Sequence, residues 1–160
     1  MRYLGIDYGE KRIGLSIGDD EVKIAFPLQT LDGQLSLSKQ LDQLVEILIN
    51  ESIGMIILGL PIRLNGQNGI QTQKVEAFKL EIEKKLVEAY RKYAQSLEAN
   101  LQVKLWDERL STSEAQKRFQ KSGVQQQKQR SKIDQAAATI ILQAYLDSLA
   151  YQQNSSLDQE

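Results

Sequence analysis

The chain has 160 residues, 41% hydrophobic and 26% charged, with a formal net charge of −1, which suits one folded domain of ordinary size. No apolar stretch reaches the ~18 residues of a membrane span, and the opening "MRYLGIDYG" runs straight into strand-like sequence, so neither a signal nor a transit peptide is expected. Cysteine and histidine are both absent, which excludes disulfides, zinc-thiolate sites, thiol nucleophiles and every histidine-based triad, and the lack of cysteine suits the cytoplasm.

In chain order, Arg2–Tyr8 and Arg12–Gly18 read as two strands joined by the tight connection "GEK". In the second, Ile13, Leu15 and Ile17 alternate with Gly14, Ser16 and Gly18, the period of a half-buried strand. "VKIAFPLQTL" is a third strand, with Pro27 best tolerated near a sheet edge. Leu37, Leu41, Leu44, Val45 and Leu48 have helical spacing and predict a helix over 36–50. "MIILGLP" is continuously apolar and reads as a strand buried on both faces. The loop "NGQNG" comes next, then one long helix or two over 72–100, with Val75, Phe78, Ile82, Leu86, Ala89, Tyr93 and Leu97 on one stripe. "LQVKLW" is a fifth strand running into "DERLSTSEA", where Ser111 and Glu114 match a capping box and predict a helix. "KIDQAAATIILQAYLDSL" is the last clear helix, succeeded by the polar "AYQQNSSLDQE", read as a frayed tail. The order, three antiparallel-type strands and then helix, strand, helix, strand, helices, predicts an α/β fold. It would be a five-stranded mixed sheet flanked by helices.

Three acids stand out. Asp7 lies inside an apolar strand and shares one face with Tyr3 and Gly5. Gly5, Gly9 and Gly14 surround it and would leave room beside the carboxylate; the plainer alternative is a turn acid bonding the "YGEK" backbone. Asp107 and Glu108 fall where a strand ends and a helix begins, the place where open sheets with parallel strands bind ligands. They point to opposite sides if the strand continues, so one can face Asp7 while the other supports the turn, unless both merely decorate a charged turn with Arg109. Glu108, with the longer reach, is the first choice. Asp134 can cap its helix with Ser131, or be carried inward on the stripe of Ala137, Ala138, Ile141 and Tyr145.

Three acids without histidine suggest oxygen-only coordination of a hard cation, Mg2+ or Mn2+. Two such ions ~4 Å apart can activate a water and stabilise the leaving oxygen of a phosphodiester. From 115 to 133 there is no acid but six cations, Lys117, Arg118, Lys121, Lys128, Arg130 and Lys132. Lys11, Arg12, Arg63 and Arg109 neighbour the candidate acids in sequence. Such a basic stripe is what a backbone-reading nucleic-acid site needs, although "QQQKQRSK" can equally be a solvated segment.

"GIDYGEKRIGLSI", "ILGLPIRLNGQNG", "DERLSTSEA" and "KIDQAAATIILQAYLD" resemble, in order, the four signature blocks of the YqgF family. These are bacterial proteins of RNase H fold described as pre-16S rRNA nucleases, and earlier as Holliday-junction-resolvase-like. The resemblance covers the chain to about Leu149. It implies an RNase H-like fold in a single nuclease domain over 1–150, and the polar 151–160 is read from its composition as a disordered tail. It also implies a carboxylate site for Mg2+ or Mn2+. Block by block, Asp7, Glu108 and Asp134 match the family's catalytic, metal-holding acids, and Asp107 could share the role. The implied partners are precursor ribosomal RNA and the ribosomal particle, with branched DNA as the alternative and no membrane. The expected state is a monomer or weak dimer. The helical region 72–100 is longer than the family usually carries.

Three other readings compete. A Holliday-junction resolvase would run the same chemistry on branched DNA and should be a stable dimer. "DYGEKRIG" also looks like the first phosphate loop of actin-like sugar kinases, but those need two lobes. A non-catalytic RNA-binding assembly factor would carry the acids without using them.

Overall fold

The computed structural model describes residues 1–62, 69–110 and 130–157, with side chains over 135–156 of the last stretch. Its strands are β1 (Arg2–Tyr8), β2 (Arg12–Asp19), β3 (Phe26–Asp32), β4 (Ile53–Leu60) and β5 (Gln102–Asp107). They form one sheet in the order β3-β2-β1-β4-β5. The first three are antiparallel, and β4 and β5 run parallel to β1. The helices are α1 (Leu37–Asn50), α2 (Ile70–Tyr93) and α3 (Arg130–Leu157). This is the mixed sheet the element order implies, with β1 central and Pro27 on the edge strand β3.

Two cores lie on the two faces of the sheet. Leu4, Ile6, Ile13, Leu15, Ile56 and Leu58 meet Leu44 and Leu48 of α1 and Val75, Phe78 and Ile82 of α2. On the other face Tyr3 and Ile57 meet Ile141, Leu142, Tyr145 and Leu146 of α3. The side chain of Ser36 caps α1 by accepting from the Lys39 N–H at 3.3 Å.

The expectation that β2 is half-buried does not hold. Gly14, Ser16 and Gly18 are buried, because small residues let α3 lie directly on the sheet. A Cβ on Gly5 would stand 2.3 Å from Ser16 Oγ, 2.8 Å from Leu142 Cβ and 2.9 Å from the Ala138 carbonyl. Ser16 Oγ donates to that same carbonyl at 2.7 Å. The space cleared by Gly5 therefore holds a helix rather than ions or a phosphate backbone.

Two element boundaries also differ. The 72–100 region is one helix ending at Tyr93, and Tyr90 Oη ties down the chain beyond it. This hydroxyl donates to the Glu98 carbonyl at 2.6 Å and accepts from the Leu101 N–H at 2.9 Å. The last helix continues to Leu157, so residues 151–157 are helical rather than a disordered tail. No glycine or proline interrupts "AYQQNSSL", and Lys23 Nζ donates to Gln153 Oε1 at 2.8 Å. The helix expected from Ser111 and Glu114 lies outside the described residues; before it, Glu108–Leu110 form a single 3-10 turn.

Candidate active site

The three parallel strands end on the same side of the sheet, and their last residues build the site. Asp7 is the sixth of seven residues in β1, at the strand's carboxyl end rather than its middle. Alternation puts it on the α3 face with Tyr3 and Gly5. It pairs with Gly14, which pairs with Thr30, so the three form one row across β1, β2 and β3. The last β1–β4 pair is Ile6 with Leu58, which brings Gly59 beside Asp7. Gly59 in turn pairs with Trp106 of β5, and Leu60 with Asp107.

At the end of β5 the same alternation separates the two acids. Trp106 packs edge-on to Tyr145 of α3, with ring centroids 5.4 Å apart. Asp107 is therefore turned away from that face, and Glu108, next in the chain, returns to it. Glu108 Oε1 lies 3.1 Å from where a Cβ on Gly59 would be. Asp107 is engaged by Arg109, which donates from its backbone N–H (2.9 Å), Nε (3.0 and 3.1 Å) and Nη2 (2.7 Å). That local clamp shapes the turn leaving β5. Arg109 hydrogen bonding holds the Asp107 carboxyl below its ordinary range, against the opposing effect of burial. Burial pushes Glu108 up, and the charge of Asp107 adds to it. A cation beside Glu108 would reverse that direction.

The candidate cations are spread more widely. Lys11 and Arg12 lie at the β1–β2 turn, beyond Asp7 on the same end of the sheet. They line a shallow depression of about 350 Å³ with Thr30, Leu31, Asp32 and Gln34. Lys11 is exposed and Arg12 half-buried. Arg109 is spent on Asp107. Arg63 and Lys128 lie outside the described residues. Arg130, Lys132 and Asp134 are in the first turns of α3, and their side chains lie outside the described residues. Gln135, next to Asp134, donates from Nε2 to Thr30 Oγ1 at 3.1 Å. That bond sets the start of α3 level with the row containing Asp7. Among the described residues no group of three acids is close enough to hold a metal ion; the side chain of Asp134, the third candidate, lies outside them. Carboxylates alone, with neither thiolate nor imidazole in the chain, fit a hard divalent cation.

Gly59 is not among the residues singled out from the sequence. The available signal was a glycine inside a strand otherwise packed on both faces, which marks a close approach by another group.

The chain and its fold have known counterparts. A "Putative pre-16S rRNA nuclease" from Methylobacillus flagellatus is 40% identical over 149 residues, 92% of this chain and 91% of its own. One from Thermoanaerobacter pseudethanolicus is 39% identical over 149 residues, 92% of this chain and 97% of its own. Among solved structures, Thermus thermophilus RuvC in complex with a Holliday junction superposes with a TM-score of 0.58 at 16% identity, over 92% of this chain and 96% of that one. The yeast mitochondrial Holliday junction resolvase Ydc2 gives 0.54 at 14% identity, over 90% of this chain and 77% of that one. At those identities the likeness is one of fold, the RNase H-like α/β fold of the resolvases. The family model described as "RuvX: Holliday junction resolvase" matches residues 1–148, and with that span this chain belongs to the RuvX family.

Proposed function

We propose that the chain is a divalent-metal-dependent nuclease of the cytoplasm that hydrolyses phosphodiester bonds, with precursor 16S ribosomal RNA, at its 5′ end, as substrate. The observation that carries this is the placing of Asp7 and Glu108 on one face at the carboxyl ends of neighbouring parallel strands, with the first turns of α3 level with Asp7. Asp7, Glu108 and Asp134 hold the cation. Bound there, Mg2+ or Mn2+ supplies an activated water and charge stabilisation at the leaving oxygen.

The protein's own part is to fix these carboxylates and the substrate strand. β1 holds Asp7 between two neighbours in the sheet centre. The Asp107–Arg109 clamp fixes the turn that returns Glu108 to the α3 face. Lys11 and Arg12, at the same end of the sheet, meet substrate phosphates, as do Lys128, Arg130 and Lys132. Such contacts read backbone charge rather than base identity. Intrinsic sequence preference is then weak, and accuracy comes from the ribosomal particle that presents the RNA end.

The relatives' name supports the RNA reading. The family's description and the RuvC likeness support a second one, cleavage of branched DNA. Incubating purified protein with precursor 16S RNA, bare single-stranded RNA and a four-way DNA junction, with and without Mn2+, separates them. Mn2+-dependent cleavage of RNA, most accurate on assembled precursor particles, is expected. Cleavage confined to the junction favours the resolvase, and binding without any cleavage favours an assembly factor.

A further inference from the structure

Gly59 is crowded in a way that Gly5, Gly9, Gly18, Gly33 and Gly54 are not. A Cβ there would lie 2.5 Å from Ile141 Cδ1 and 3.1 Å from Glu108 Oε1. At Gly5, Gly9, Gly18, Gly33 and Gly54 no carboxylate oxygen stands among the nearest atoms. The backbone of Gly59 is not in the left-handed region, so conformation does not demand glycine. Space does, and the space is shared by a helix side chain and a carboxylate. Glu has three rotatable side-chain bonds, and a functional carboxylate so mounted needs supporting contacts to hold it in place.

We infer that Gly59 is a positioning residue for Glu108. The missing Cβ is a seat in which the Glu108 carboxylate lies against β4, walled by Ile141 of α3, and the seat fixes the distance between that carboxylate and Asp7. This rests on the reading of Glu108 as a metal ligand. The three atoms that a new methyl would meet, Ile141 Cδ1, Ile141 Cγ1 and Glu108 Oε1, all belong to side chains, so Gly59→Ala is accommodated by their moving. The carboxylate shifts by a few tenths of an ångström and loses its seat.

Mn2+ is the probe, its binding monitored by electron paramagnetic resonance and stability by thermal melting. Gly59→Ala should weaken Mn2+ binding by roughly 10-fold or more, the scale seen when residues supporting metal ligands are removed. Gly18→Ala is the matched control. Its Cβ would meet the Ile24 carbonyl and Leu146 Cδ1, both at 2.9 Å, at the opposite end of the sheet. It should lower the melting temperature and leave Mn2+ binding as in the parent. The double variant Gly59→Ala/Ile141→Val removes the Cδ1 atom in closest contact. It should recover melting temperature while Mn2+ binding stays weak, because Glu108 remains displaced. If the double variant recovers both, or Gly18→Ala weakens Mn2+ equally, Gly59 serves only helix packing and the inference is overturned. A parent protein that takes up no Mn2+ overturns the metal-site reading itself, and the inference with it.

Discussion

Replacing Gly5 by alanine tests whether α3 is seated on the sheet as described. The new Cβ would stand 2.3 Å from Ser16 Oγ, 2.8 Å from Leu142 Cβ and 2.9 Å from the Ala138 carbonyl. The last of these is backbone and cannot rotate away. Two costs add. Turning Ser16 aside breaks its 2.7 Å bond to the Ala138 carbonyl and leaves the buried Ser16 hydroxyl without its acceptor, about 1–3 kcal/mol. Lifting the helix to make room is overpacking, about 1–3 kcal/mol more. The total is about 2–6 kcal/mol. At ~2–4 °C of melting temperature per kcal/mol for a chain of this size, that is a fall on the order of 10 °C. Urea unfolding monitored by circular dichroism reads it directly. Gly5→Ala/Ser16→Ala removes the shortest contact but keeps the other two, so only part of the stability should return. Since α3 carries Asp134, metal-dependent activity should fall with the helix displacement. A Gly5→Ala protein within about 1 kcal/mol of the parent, below either cost, would refute this account of the helix seat.

The site and the buried tyrosine give further expectations. Glu108→Gln should remove cleavage, whereas Asp107→Asn, which loosens the Arg109 clamp and leaves Glu108 charged, should reduce it only in part; equal losses would mean that both acids act on the metal. Reversing charge at Lys128, Arg130 and Lys132 should flatten the salt dependence of RNA binding, by ~0.7 in log–log slope for each single-strand phosphate no longer neutralised, and an unchanged slope would make the segment a solvated stretch. Burial, chiefly, pushes the Tyr3 hydroxyl from 10.0 up to about 12. The unfolded chain then ionises first, so stability present below pH 10 is lost as pH rises from there to about 12. Tyr3→Phe should make the alkaline unfolding profile shallower in that window, and a profile as steep as the parent's would show that Tyr3 is not its source.

Much of the fold was legible in the sequence because each strand and helix carries its own period. The apolar alternation of β1 and β2, the unbroken run of β4 and the stripes of α1 and α2 set type and order, and five strands in that order leave few topologies. The β-alternation through Trp106, Asp107 and Glu108 already contained the separation of the two acids, once the helix face was known. Contact between distant segments could not be read. Gly14, Ser16 and Gly18 look solvent-facing locally, because nothing in β2 says that a helix more than a hundred residues later will lie on them. The glycine at 5 was read as room for a ligand for the same reason. Gly59 has no local signature of its relation to Glu108, which arises only when β4 and β5 pair. The polar end of α3 lacks an apolar stripe, and its helix persists because no residue stops it.

Asp7 is proposed to hold a catalytic cation. Asp7→Asn keeps the shape of the side chain and removes its charge, so the fold should melt near the parent temperature. Measured under single turnover with precursor 16S RNA and Mn2+, with contaminating nuclease excluded, the variant should show cleavage no faster than buffer alone. Parent-like cleavage by a folded Asp7→Asn protein would contradict the account.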